Sequence, residues 1–212
     1  MKKLFIIIGI IAVFMLSGCS TNNGDSTTPS TFYGGEQGVV AEFEPMGLDK
    51  DSTENVWVEE EFPVKVNVKN KGEHDIEAGE LSVTILGVPA DEYGLPEPPT
   101  ATNEDLIEKT SELNTQGGEA VIEITDSAKV DEVTGSFYDA NFVADIVYPY
   151  ETNVAVPKVC FKADFQDESL CDLQGNKQVF SSGAPIVVKT VTQDTAGSKK
   201  IALLFEVQNV GD

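Results

Sequence analysis

From Gly38 onward, apolar residues recur at every second position in short runs separated by Gly, Pro, Asn and Asp. This is the pattern of strands with one face buried and one in water. Val40-Ala41-Glu42-Phe43 opens the series. Phe62, Val64, Val66 and Val68 line one face of a strand that closes at the turn sequence Asn70-Lys71-Gly72-Glu73. Leu81, Val83 and Ile85 form the answering row, Ala120 to Ile124 a further strand, and Phe142, Ala144, Ile146, Tyr148 and Tyr150 another single-faced row. Val154 to Phe161 follows, with Pro157 favouring an edge or a bulge. Half-apolar strands must bury their faces against one another, so the expected class is all-β, an antiparallel β-sandwich.

One interruption is expected between Gly87 and Gly118. There Thr102-Asn103-Glu104-Asp105 resembles a capping box and predicts one short helix ending near Leu113, with Leu106, Ile107 and Leu113 as a narrow apolar stripe. Such a helix would lie as a lid on the end of the sandwich. Upstream, Leu95-Pro96-Glu97-Pro98-Pro99 reads as a stiff extended spacer.

The amino terminus obeys a different pattern. Lys2 and Lys3 precede an uninterrupted apolar run from Leu4 to Leu16, and Leu16-Ser17-Gly18-Cys19 matches a lipobox, a large aliphatic residue and two small ones before cysteine. The run is short for a transmembrane span, which takes about 20 residues. Residues 1–19 therefore read as a lipoprotein signal peptide with lipidation at Cys19, an uncut signal anchor or an ordinary signal peptide cleaved elsewhere being the alternatives. Residues 20–36 are rich in Ser, Thr, Asn and Gly and read as a flexible tether. Residues 37–162 form the sandwich, residues 163–183 a disulfide loop and linker, and residues 184–212 the first strands of a second module.

That last division rests on an internal repeat. An offset of 139 residues superimposes Phe62 to Glu73 on Ile201 to Asp212, matching Val68 with Val207, Asn70 with Asn209 and Gly72 with Gly211. Two strands cannot close a two-sheet core, so the expectation is that the second module is truncated here, the alternative being that its strands complete the first. Glu61 to Gly87, with its V-x-V-x-N-x-G strand end, resembles the second strand, turn and third strand of CARDB-like and other immunoglobulin-like modules in bacterial and archaeal surface proteins. Gly183 to Asp212 resembles the start of the same module. The resemblance implies an immunoglobulin-like sandwich and supplies no catalytic residue.

Charge and cysteine content narrow the function. The chain carries a formal net charge of −22, and loss of Lys2 and Lys3 with the signal deepens it by two. Nucleic acid is excluded as a partner, because phosphate backbones need a clustered basic surface. An anionic lipid surface would repel the folded part, leaving lipid as the membrane contact. With Cys19 assigned to lipid, Cys160 and Cys171 remain as an even pair, expected to form a disulfide outside the cell. A reactive or metal-binding thiol pair is the alternative.

The search for chemistry gives little. His74, the single histidine, sits in a turn, and zinc needs several well-spaced ligands. No nucleophile elbow, phosphate-binding loop or dinucleotide fingerprint occurs. Asp49-Lys50-Asp51 begins like a calcium loop, but Glu54 stands where glycine is required, and Glu59-Glu60-Glu61, Asp91-Glu92, Asp164 and Asp167-Glu168 read as solvated acids. The sequence assigns no catalytic residue, metal or cofactor. Trp57, Tyr93, Phe137, Tyr138, Tyr148 and Tyr150 are scattered, and Tyr148-Pro149-Tyr150 is the one cluster suited to a ligand platform. The expected function is that of a non-catalytic, extracytoplasmic protein held to the membrane by lipid, an envelope spacer, adhesion or interaction element contacting other envelope proteins or glycans. The alternative is a solute- or glycan-binding lipoprotein serving transport or envelope processing.

Overall fold

The row Phe62, Val64, Val66 and Val68 is at most 2% exposed, while the residues between its members stay half in water, so the two-residue period is realised side chain by side chain. The computed structural model describes residues 32–47, 55–163, 171–197 and 199–211. Cys19, most of the tether and the Asp49 to Glu54 loop lie outside the described residues. In chain order the strands are β1 (Val39–Phe43), β2 (Glu61–Asn70), β3 (Ser82–Leu86), β4 (Thr100–Thr102), β5 (Glu119–Lys129) and β6 (Val143–Val147). They continue as β7 (Val154–Ala155), β8 (Gly175–Lys177), β9 (Phe180–Ser181), β10 (Ile186–Thr195) and β11 (Ile201–Asn209). Every pairing is antiparallel, and the protein is all-β.

Two three-stranded sheets, β1-β2-β5 and β4-β3-β6, share one core. The β2 row meets Val83 and Ile85 of β3, with Ile122 and Ile124 of β5 and the loop residues Ile76, Leu81 and Ile107 filling the layer. Ala144, Ile146, Phe142 and Tyr148 pack against it from the β6 side. On the outer face of β2, Lys65 opposes Glu123 at 2.5 Å and Lys69 opposes Glu119 at 3.5 Å, in register across the strands. Opposite charges placed across neighbouring strands in this way favour the observed register.

The expected helix from Thr102 to Leu113 does not form. Its backbone is drawn into contacts with the β2–β3 connection instead of closing on itself. Ile107 exchanges both backbone bonds with Ile76 (3.1 and 2.9 Å), and Thr110 donates its N–H to the Gly72 carbonyl at 2.8 Å. Asn103, within the anticipated capping box, spends its side chain elsewhere. Its Oδ1 accepts the Leu81 N–H at 2.9 Å and its Nδ2 donates to the carbonyls of Glu77 and Asp105, both at 2.8 Å. A buried asparagine with three such partners outweighs a cap worth about 1 kcal/mol. Ile107 alone of the proposed stripe is buried; Leu106 and Leu113 face solvent.

The carboxyl-terminal sheet has the order β11-β10-β8, so the stretch read as a linker contributes β8 and, through β9, a two-stranded pairing with β7. The repeat is visible in its local geometry. In the sandwich, Val39 pairs with Asn70, Asn70 Oδ1 accepts the Gly72 N–H at 3.0 Å, and Lys71 N–H reaches the Gly38 carbonyl at 2.8 Å. In the second sheet, Ile186 pairs with Asn209, Asn209 Oδ1 accepts the Gly211 N–H at 3.1 Å, and Val210 N–H reaches the Pro185 carbonyl at 2.8 Å. The environments differ: Asn70 is buried and Asn209 is exposed.

Candidate functional site

No set of three or more His, Cys, Asp or Glu residues among the described residues is placed to hold a metal ion. The features that organise the molecule are a clamp at one end of the sandwich and an aromatic, acidic surface at the other.

The clamp is Glu73, in the turn after β2. Its carboxylate accepts the backbone N–H groups of Tyr33 at 2.7 Å, Gly34 at 2.9 Å and Gly183, while its own N–H donates to the Gly183 carbonyl at 2.8 Å. One side chain therefore ties the segment arriving from the amino terminus to the segment leading into β10. Hydrogen bonds to a charged acceptor are roughly twice as strong as neutral ones. Nearby, Glu36 pairs with Lys189 at 2.5 Å beside an open depression of about 230 Å³ lined by Gly35, Ser181, Val187 and Val188. His74 Nδ1 lies 3.6 Å from Glu151, on the same side.

Asp75 fixes the adjoining loop. Burial pushes its carboxyl up, but the Lys109 N–H and ammonium, each at 2.9 Å, outweigh burial and hold it below its ordinary 3.8. A carboxyl lowered on folding contributes stability that is present above its unfolded value and lost as pH falls through the folded one.

Cys160 and Cys171 are joined in a disulfide, their Cα atoms 5.9 Å apart. Behind it, fully buried Gln193 uses both ends of its amide on one residue: Oε1 accepts the Cys160 N–H at 3.0 Å and Nε2 donates to the Cys160 carbonyl at 2.6 Å. The side chain thus substitutes for a neighbouring strand. It docks the disulfide loop on β10.

Tyr148 and Tyr150 have ring centroids 6.3 Å apart at an interplanar angle of 52°. Tyr148 packs against the core with its hydroxyl over Gly38, and Tyr150 is exposed. The pair offers one open ring.

Comparison with protein-family models, curated proteins and solved structures finds no match.

Three of the exposed aromatics, Trp57, Phe137 and Tyr138, stand on loops at the far end. Glu61 pairs with Lys129, and Leu86 with Val143, so residues 55–60, 87–95 and 130–142 all leave the sheets on the side away from Glu73. The Glu59 N–H donates to the Val130 carbonyl at 2.8 Å, and the Lys129 N–H donates to the Tyr93 carbonyl at 3.0 Å, which joins the loops. Beneath them Phe142 meets Phe43, Phe62 and Tyr93 edge to face, with centroids 6.5, 6.4 and 5.4 Å away. Burial raises the Tyr93 hydroxyl, and neighbouring Tyr138 adds to the rise. Trp57, Phe137 and Tyr138 stand outside this packed base, 68%, 77% and 67% exposed. Sequence reading did not join them, because 80 residues separate the first from the others. The available signal was large rings among acids in loops rather than in strand rows.

Proposed function

We propose that the chain is a lipid-anchored, extracytoplasmic protein without catalytic activity, serving the cell envelope as a spacer, adhesion or interaction element. The observation that carries this reading is the sequence Leu16-Ser17-Gly18-Cys19 directly after an apolar core with lysines ahead of it. Two or more acyl chains on such a cysteine anchor stably, whereas one holds only marginally. Among the described residues there is no helix long and apolar enough to cross a membrane.

The folded part supports a mechanical role. The Glu73 clamp gathers the incoming segment and the second sheet at one end, leaving the opposite loops free to meet a partner. The grouping of β1, β2 and β5 in one sheet and of β3 and β6 in the other supports kinship with immunoglobulin-like modules, while β4 departs from the constant-type arrangement by pairing with β3.

The test is fractionation of cells expressing Cys19→Ala. The wild-type chain should sediment with membranes, and the variant should appear in the soluble extracytoplasmic fraction or medium. Full membrane retention of the variant would show that the apolar segment itself is the anchor.

A further inference from the structure

Large apolar side chains in solvent are ordinary when single and informative when gathered. Leu113 and Phe161 are of the first kind. Trp57, Phe137 and Tyr138 are of the second, since their loops are hydrogen-bonded to one another at one end of the sandwich. Their surroundings have one sign of charge. Exposed carboxylates come from all three loops, Glu59, Glu60, Asp91, Glu92, Asp131 and Glu132 among them. Lys129 is the one lysine at this end among the described residues, and it is already paired with Asp131 at 2.5 Å. The Glu73 end instead mixes Lys69, Lys71 and Lys109 with its acids.

Aromatic faces attract cations, and carboxylates around them add long-range attraction for the same ligands. An anionic partner would be repelled. A neutral partner would leave the carboxylates desolvated without compensation. With two thirds or more of each ring in solvent, the loops do not enclose a small cation. An extended segment lying across several loops buries the rings together.

We propose that this end of the sandwich docks a cationic polypeptide segment whose lysine or arginine side chains sit over Trp57, Phe137 and Tyr138 and between the flanking carboxylates. The proposal deepens the interaction-module reading and rests on it by naming the docking face and its partner's chemistry.

The experiment uses the full chain in detergent micelles and a fluorescently labelled ten-residue arginine–serine repeat peptide, followed by anisotropy, with a glutamate–serine peptide as control. The arginine peptide should bind with an affinity that falls as salt rises, and the glutamate peptide should not bind. Phe137→Ser/Tyr138→Ser, which changes no charge, should weaken binding about tenfold. Glu60→Gln/Glu92→Gln should weaken it several-fold, whereas Glu104→Gln/Glu112→Gln, exposed acids elsewhere, should stay within about twofold. Wild-type affinity in the aromatic variant, or equal losses in the two acid variants, would overturn the proposal by reducing the attraction to diffuse charge. A chain that light scattering shows to be a dimer until Phe137 and Tyr138 are replaced would also overturn it, making a second copy the occupant. Failure of the titration leaves the anchoring tested through Cys19 untouched.

Discussion

Replacing Asn70 with alanine will lower the unfolding free energy by about 3 kcal/mol, whereas the same change at Asn209 will cost under about 1 kcal/mol. The two residues occupy equivalent places in the repeat, and both accept the N–H of a glycine two residues on. Burial separates them. Asn70 is 3% exposed, and its Nδ2 donates to the carbonyls of His74 at 2.8 Å and Ile107 at 3.2 Å. Alanine would leave the Gly72 N–H and the His74 carbonyl without their partner and strip the Ile107 carbonyl of one of its two donors, and each buried group left unpaired costs about 1–3 kcal/mol. Asn209 has one bond in an exposed turn, where water replaces the lost partner. For a folded part of this size the Asn70 change should lower the melting temperature by roughly 6–12 °C. Urea titration of the two variants checks the contrast; equal shifts would mean that the segment from Asn103 to Gly118 does not depend on Asn70.

The second large effect belongs to the disulfide. Replacing both Cys160 and Cys171 with serine should destabilise the carboxyl-terminal sheet by about 3 kcal/mol, the chain-entropy value for a short closed loop. The loss should be local. Gln193 binds Cys160 rather than the sandwich, and neither Cys160 nor the buried β10 residues Val187 and Val191 belong to the cluster formed by β2, β3 and β5. Amide hydrogen exchange should therefore quicken about a hundredfold along β8 and β10 while β2 and β5 keep their protection. Equal acceleration in β2 would show that the two sheets open as one unit.

The strands that sequence revealed were those whose alternation serves a single core. Phe62 to Val68 and Leu81 to Ile85 are legible because each second residue is an aliphatic or aromatic side chain that ends nearly or fully enclosed. The segment from Thr102 to Leu113 misled because a capping box is a local signal. Its asparagine is claimed by Leu81, Glu77 and Asp105, and only the tertiary structure supplies Leu81 and Glu77. Strands β8 and β9 escaped notice because Gly175–Lys177 and Phe180–Ser181 are too short to show a period. The repeat was readable from Asn70 and Asn209 because an asparagine two residues before glycine encodes its own turn. The difference in their burial was not, since it depends on what lies above each strand. The second sheet shows this most clearly: β11 residues Phe205 and Val207 match buried Val66 and Val68, yet they stand 45% and 61% exposed.

The candidate site was less legible than the fold. Glu73 sits in a turn where glutamate attracts no attention, and its role appears only when Tyr33, Gly34 and Gly183 converge on it. Trp57 and Tyr138 become neighbours in function only because Glu61 pairs with Lys129 and thereby sets their loops side by side.

The intact mass of the protein extracted from membranes tests the central claim, anchoring through lipid, most directly. The account predicts a chain that begins at Cys19 and carries the added mass of a diacylglyceryl group, with or without a further acyl chain on the new amino terminus. A membrane-bound chain that still begins at Met1, or one starting at Cys19 with no added mass, would contradict it.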